Sequence, residues 1–164
     1  MLITSNRFDG DMTTAASRNT NTSQDTSEKP ERFSPATELK FASIATIGFG
    51  LLIALGSHTL TDGPMRYFAD LLFWPLGDAP IFADEAQLLA AILGGVMTSW
   101  GVLFWLLTDS LAQDHPALLK RLILTTMATW FVIDSTGSIA SGGWLNVIGN
   151  LGFLALFVLP ARKL

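Results

Sequence analysis

Two long segments without a charged side chain constrain this sequence more than any other feature. The first extends from Phe41 to Thr61 and the second from Ala86 to Thr108, and neither contains Asp, Glu, Lys or Arg. A helix of about 20 residues, rising about 1.5 Å per residue, crosses a hydrocarbon core of about 30 Å. We therefore expect both segments to be transmembrane helices.

The distribution of charge also indicates a membrane protein. Apolar residues make up 49% of the chain and charged residues 15%, whereas a soluble domain is about 25% charged. Eleven of the charged residues lie in the first 40 positions, so the remaining 124 residues carry too few charges to cover a surface in water. A helical bundle in water would need polar faces, and the second and fourth predicted helices have almost none.

The predicted fold class is an all-α integral membrane protein, an antiparallel four-transmembrane-helix bundle. Ser34 followed by Pro35 is typical of a helix N-cap and first helical position, and Asp84 to Gln87 resemble a capping box. The third span requires Asp134 to lie near a membrane interface. The predicted spans cover residues at about 39–60, 85–107, 117–138 and 143–160, and together they form one membrane domain over residues 38–164.

The first loop after the opening span contains a short helix at about 64–74, which we expect to lie at the membrane interface. Asp62, Gly63 and Pro64 indicate its start, and Pro75 ends it. Apolar side chains recur on one face of this segment, as expected for a helix that lies on the bilayer or caps the bundle.

Residues 1–37 are rich in Ser, Thr, Asn and Asp and predict a disordered leader, because such a segment buries too little apolar surface to offset its ordering entropy. No apolar run of signal-peptide length precedes Phe41. Met12 is an alternative start of translation.

The basic residues predict that both termini face the cytoplasm. Positive side chains favour the cytoplasmic side of a membrane, and one side of the predicted topology holds nine of them against Arg66 alone on the other. The nine are Arg7, Arg18, Lys29, Arg32, Lys40, Lys120, Arg121, Arg162 and Lys163.

Six polar side chains near the predicted outer membrane surface form a candidate functional cluster: His58, Arg66, Asp70, Asp84, Glu85 and Asp134. Asp134 stands about 20 Å along its helix from Arg121, close to the outer interface. Carboxylate and imidazole groups within membranes are typical of proton relays. The alternative is that polar residues collect at wet loop ends, and that Asp134 bonds Ser135, Thr136 or the next loop, or pairs with Arg66.

Other polar and small residues predict contacts between helices. Thr129, Asn146 and Asn150 are candidates for intramembrane hydrogen bonds, or for the lining of a small polar ligand. Rows of small residues occur in the second span, and such rows allow helix backbones to approach closely, within one chain or in a dimer. The two rows are Ala90, Gly94, Thr98 and Ala91, Gly95, Ser99.

No catalytic motif, metal cluster or nucleotide loop is recognised, and we expect no cofactor and no nucleic-acid partner. The absence of cysteine excludes disulfides and thiolate sites. His58 and His115 fall on opposite sides of the membrane and cannot share a haem. The expected partners are the lipid bilayer and either a larger membrane complex or a second copy of the chain.

The second span, ADEAQLLAAILGGVMTSWG, together with the order of one span, a long outer loop and three closely spaced spans, resembles the DoxX-like small bacterial membrane proteins. The resemblance covers residues 39–160 and carries over no functional residue. It implies a four-helix protein of the bacterial inner membrane with an accessory role in redox complexes.

Three functions follow as hypotheses. The first is a non-enzymatic accessory or structural membrane subunit. The second is a small proton-coupled carrier that uses Asp134, His58 and Glu85. The third is a redox component that binds quinone beside Trp100 and Trp130.

Overall fold

The computed structural model describes residues 33–73 and 84–164, and these residues form five α-helices and no strand. In chain order the helices are α1 (Pro35–Leu55), α2 (Gly63–Leu72), α3 (Asp84–Leu111), α4 (Pro116–Ala140) and α5 (Asn146–Arg162). The all-helical prediction is therefore confirmed for this part of the chain. The predicted leader up to residue 32, the alternative start at Met12 and the predicted end of the interfacial helix lie outside the described residues.

Helix α1 starts as the sequence predicts but ends earlier. Ser34 is the N-cap, its Oγ accepts a hydrogen bond from Thr37 N at 3.2 Å, and Pro35 is the first helical residue. The helix ends at Leu55 rather than near residue 60, because Gly56 and the residues after it turn away from the axis. Thr61 Oγ1 then donates to the free carbonyl of Leu55 at 2.6 Å. The absence of charge alone cannot distinguish this uncharged turn from a helix.

Three of the described helices, α1, α3 and α4, are long and apolar enough to cross a membrane. They correspond to the first three predicted spans. Helix α5 is apolar but has 17 residues, which extend about 25 Å against a hydrocarbon core of about 30 Å. The fourth span therefore remains a prediction.

Glycine brings α1 and α3 into close antiparallel contact. An ideal Cβ added to Gly94 would lie 2.5 Å from Ala54 N, and one added to Gly50 would lie 2.5 Å from Thr98 N. Further along, a Cβ on Gly101 would lie 2.8 Å from Ser43 O. These helices touch backbone to backbone, as small residues permit in helix pairs.

The main core contains residues from all four long helices and is rich in aromatic rings. The ring centroids of Phe104 on α3 and Phe157 on α5 are 4.8 Å apart. A smaller core cluster lies between α1 and α3 around Ile53 and Met97. The buried members of the main core are Leu39, Ala42, Phe104, Leu119, Ile123, Met127, Phe157 and Ala161.

Helix α2 covers the end of α1. The ring of Phe68 packs edge-on against Phe49 of α1, with centroids 5.2 Å apart, and Met65 contacts the small cluster beside Gly56. The predicted helix at 64–74 therefore exists, at Gly63–Leu72.

At the end of the bundle far from α2, charged side chains connect neighbouring helices. We call this end the charged end. Lys163 Nζ binds Glu38 Oε2 at 2.6 Å, and Lys40 pairs with Asp109. Lys120 Nζ donates to the carbonyl oxygen of Arg162 at 3.0 Å. These contacts hold the start of α1 and α4 beside the end of α3 and α5. We call the other end, which α2 covers, the α2 end.

Candidate binding groove and its polar end

Asp134, the one acidic residue away from the ends of a predicted span, lies in an interhelical hydrogen-bond network. Its Oδ1 accepts from Asn150 Nδ2 at 2.7 Å, from Asn146 Nδ2 at 2.8 Å and from Ser138 Oγ at 3.2 Å. Each asparagine uses its second N–H on a serine: Asn146 on Ser138 at 2.9 Å and Asn150 on Ser135 at 3.2 Å. The network links α4 to the first two turns of α5.

The short α4–α5 connection sets the register of this network. Asp134 precedes the end of α4 at Ala140 by six residues, and α5 begins at Asn146 after five intervening residues. Asp134 lies within the last two turns of α4, and Asn146 and Asn150 lie within the first two turns of α5, so the antiparallel hairpin places all three at the same level. Asn146 and Asn150, four residues apart, share one helix face and both reach the carboxylate.

A groove of about 1070 Å³ opens between α3 and α4 beside this network. It forms because α3 is held against α1, and α4 against α5, so that the two pairs separate toward the α2 end. Fifteen residues line it: Ala91, Ile92, Leu93, Gly95, Val96, Met97, Ser99, Trp100 and Leu103 on α3, and Thr125, Thr126, Thr129, Trp130, Ile133 and Asp134 on α4.

Aromatic rings form the deep part of the groove. The ring centroids of Trp100 and Trp130 are 6.0 Å apart, and Trp130 also packs against Phe153 at 5.3 Å. Trp100 continues into the main core through Phe104 at 5.1 Å. Trp130 is four residues before Asp134, so the indole and the carboxylate lie one helical turn apart on the same face.

Two hydroxyl groups that line the groove donate hydrogen bonds to backbone carbonyls of their own helix. Ser99 Oγ donates to Gly95 O at 2.7 Å, and Thr129 Oγ1 donates to Thr125 O at 2.9 Å. Their protons are therefore engaged, and their oxygen lone pairs remain to accept hydrogen bonds from a ligand. Thr129, predicted as an intramembrane polar contact, is thus placed on the groove wall rather than in a bond between helices.

The hydrogen bonds of the described residues do not join the members of the predicted outer cluster to one another. None of the hydrogen bonds of Asp134 within the described residues involves another member of that cluster. Arg66 binds Asp62, which the sequence analysis did not select and which is 5% exposed, through Nε and through a second guanidinium nitrogen, each at 2.7 Å. His58 Nδ1 accepts from Leu60 N within its own turn at 3.2 Å.

The remaining members of the cluster lie on helix surfaces. Asp84 and Glu85 are exposed in the first turn of α3, and Asp70 is half-buried on α2. In residues 33–73 and 84–164, no group of three or more metal-ligating side chains is placed to hold an ion.

The two rows of small residues have different environments. Ala90 and Gly94 are buried against α1, whereas Ala91, Gly95 and Ser99 are exposed and line the groove. A Cβ on Gly95 would meet no atom within 4 Å. Gly149 and Gly152 on α5 likewise face open space, so they do not serve helix packing here.

Sequence reasoning missed Ser135 and Ser138 as partners of the asparagines, although Ser135 was considered as a partner of Asp134. The spacing contained a signal for the connection to Asn146 and Asn150. Asp134 and both asparagines lie within two helical turns of the α4–α5 connection, which predicts that they lie at the same level of an antiparallel hairpin.

Comparison with known protein families, with curated proteins and with solved structures finds no match to this chain. The DoxX-like resemblance therefore remains a prediction.

Proposed function

We propose that this chain is a non-enzymatic membrane protein that binds a lipid-soluble small molecule in the groove between α3 and α4. The groove itself supports the proposal most strongly. Ligand sites typically have volumes of about 300–1,000 Å³ and apolar or aromatic walls with a few polar groups. The groove has about 1070 Å³, two tryptophans and one carboxylate.

A lipid-soluble ligand can also reach the groove from the bilayer. The groove opens sideways between two helices that are each long enough to span a membrane, so a molecule dissolved in the bilayer reaches it without crossing water.

The topology that we propose is an antiparallel four-helix bundle in the bacterial inner membrane, with α5 as the fourth span and α2 at the interface. Basic residues support the orientation with the charged end in the cytoplasm. Five of the six Lys and Arg residues in the described part of the chain (Lys40, Lys120, Arg121, Arg162 and Lys163) lie at the charged end. Arg66 lies at the α2 end.

Cysteine labelling tests the topology, because the chain has no cysteine of its own. A membrane-impermeant maleimide added to intact cells should label Thr59→Cys, at the α2 end, and should label Lys163→Cys only after the membrane is opened. Labelling of Lys163→Cys in intact cells would overturn the orientation.

Tryptophan quenching tests ligand binding. A variant with Trp74, Trp105 and Trp144 replaced by Phe retains only Trp100 and Trp130 as reporters. The protein is placed in nanodiscs of zwitterionic lipid and titrated with undecanol, undecylammonium and undecanoate that carry bromine on one of the first carbons after the headgroup, because bromine quenches indoles that it contacts. At least one probe should quench the reporters saturably.

Two glycine substitutions separate groove binding from partition into lipid. Gly95→Leu fills the groove and should abolish saturable quenching, whereas Gly152→Leu, on an exposed face of α5, should preserve it. Both glycines face open space, so both variants retain room for the new side chain. Linear quenching with every probe, or equal quenching in the two variants, would refute the binding function.

An accessory subunit is the second candidate, favoured by the exposed row Ala91, Gly95 and Ser99. A partner helix can approach this row as closely as α1 approaches the neighbouring row at Gly94. Affinity purification in mild detergent should then recover a membrane partner with the wild type and not with Gly95→Leu. A lone, homogeneous protein in both purifications would count against a subunit role.

A further inference from the structure

The negative charge in the groove restricts the charge of the ligand. Among the fifteen described residues that line it, Asp134 is the one charged side chain. The described ion pairs of the chain lie elsewhere, at the charged end and between Arg66 and Asp62. A carboxylate in an apolar site attracts a positive ligand strongly, because the low dielectric constant weakens screening.

The hydrogen-bond acceptors at the polar end of the groove also favour a positively charged ligand. Asp134 Oδ1 already accepts three hydrogen bonds, while Oδ2 receives none within the described residues. Since Ser99 and Thr129 have engaged their protons, the carboxylate and these two hydroxyl oxygens can bind only a ligand group that donates N–H or O–H. A neutral carbonyl ligand such as a quinone would instead use the hydroxyls of Thr125 and Thr126 and the indole N–H groups of Trp100 and Trp130, and it would leave Asp134 Oδ2 without a donor.

The position of the carboxylate along the groove fits an amphiphile. Asp134 is six residues from the end of α4, about 9 Å along the axis, whereas Trp130 lies one turn deeper. A polar headgroup at Asp134 therefore stays near the membrane surface, and an apolar chain lies along the deeper wall of Trp100, Trp130 and Leu103. The indole faces also attract cations directly.

We propose that the ligand of the groove is an amphiphilic organic cation, a single apolar chain with an ammonium group that binds Asp134. This proposal rests on the binding function above and names its ligand class. The ammonium donates to Asp134, the tryptophan rings flank the first carbons of the chain, and the remaining chain lies in the α3–α4 groove.

The same three brominated probes test this assignment, because they share one chain and differ only in headgroup. In zwitterionic nanodiscs the apparent Kd of undecylammonium should be at least about tenfold lower than that of undecanol, from its Coulomb attraction to Asp134. Undecanoate should bind more weakly than both. Asp134→Asn should remove the preference for ammonium, whereas Asp109→Asn, a carboxylate at the charged end, should leave it unchanged.

A second variant keeps the test decisive if Asp134→Asn does not fold. Ile133 is 69% exposed on the groove wall next to Asp134, so Ile133→Lys leaves the network intact and adds a positive charge. It should also abolish the preference for ammonium. A soluble quinone analogue serves as the neutral carbonyl competitor and should displace undecylammonium only weakly.

The outcomes separate the two proposals. Saturable quenching without a preference for ammonium, or a preference for the quinone analogue, would overturn the cation assignment and leave ligand binding standing. Absence of saturable quenching by every probe would overturn both. Nanodiscs enriched in ethanolamine phospholipid should not compete, because that headgroup brings a phosphate next to Asp134; strong competition would assign the site to a lipid and overturn the proposal.

Discussion

Asn150 on α5 donates a hydrogen bond from Nδ2 to Oδ1 of Asp134 on α4 at 2.7 Å, and its second N–H reaches Ser135 Oγ. Asn150 is 5% exposed, so water cannot replace it as the donor. The α4–α5 pair is therefore held by a polar contact at the α2 end and by Lys120 and Arg162 at the charged end.

Replacing Asn150 with Leu should lower the free energy of unfolding by about 1–2 kcal/mol. Hydrogen bonds between membrane helices average about 0.6 kcal/mol, and those to charged groups in proteins reach about 1.5–3 kcal/mol, so two lost bonds with one to a carboxylate fall between these limits. Reversible unfolding in mixed detergent micelles measures the change. Asn146→Leu should cost less, because Asn146 is only half-buried; an equal or larger cost would contradict the assigned role of Asn150.

Two adjacent glycines should respond to alanine in opposite directions. Gly94→Ala places a Cβ 2.5 Å from Ala54 N, a backbone atom that cannot rotate away, so α1 and α3 must separate. Overpacking of this kind costs about 1–3 kcal/mol. Gly95→Ala meets open space and should gain up to about 1 kcal/mol from helix propensity. The pair is compared by thermal unfolding in one detergent, and equal effects would show that α1 does not pack on Gly94.

Helices α1 and α3 were predictable from the sequence because each contains a charge-free run long enough to cross a membrane. The groove was not, because it depends on which small-residue row of α3 packs on α1. The rows through Gly94 and Gly95 have the same spacing, and only the complementary shape of Gly50 and Ala54 on α1 selects the first. That selection rotates the Gly95 row and Trp100 toward α4 and leaves the groove between them.

The sequence predicted the polar residues of the candidate site but not all of their partners. Asp134, Asn146 and Asn150 were each identified as polar groups within spans, and the hairpin register brings them together. A pair with Arg66 was one of the alternatives for Asp134, but Arg66 binds Asp62, four residues earlier in the chain. Local i to i+4 geometry favours such pairs.

Phe157 tests how far packing alone stabilises this fold. It is fully buried between Phe104 and Phe153, with centroids 4.8 and 5.7 Å away. In a bilayer the truncated side chain loses contacts but gains no contact with water, so Phe157→Ala should cost about 2 kcal/mol rather than the about 3–5 kcal/mol of water-soluble cores. Leu156→Ala, half-exposed on the same helix, should cost much less in the same unfolding assay. Equal costs would place Phe157 outside the core.

Removal of the Thr108 hydroxyl on α3 should stabilise the protein. Within the described residues its Oγ1 is the buried side-chain oxygen without a hydrogen-bond partner, and the residue is 1% exposed. A buried hydroxyl without a partner costs about 1–3 kcal/mol, and valine keeps its shape, so Thr108→Val should raise the free energy of unfolding by about 1 kcal/mol. Thr46 is the matched control, since it is equally buried but its Oγ1 donates to Ala42 O at 2.8 Å. Thr46→Val should therefore leave stability unchanged or lower it slightly, and a gain equal to that of Thr108→Val would show that loss of the unpaired hydroxyl is not the cause.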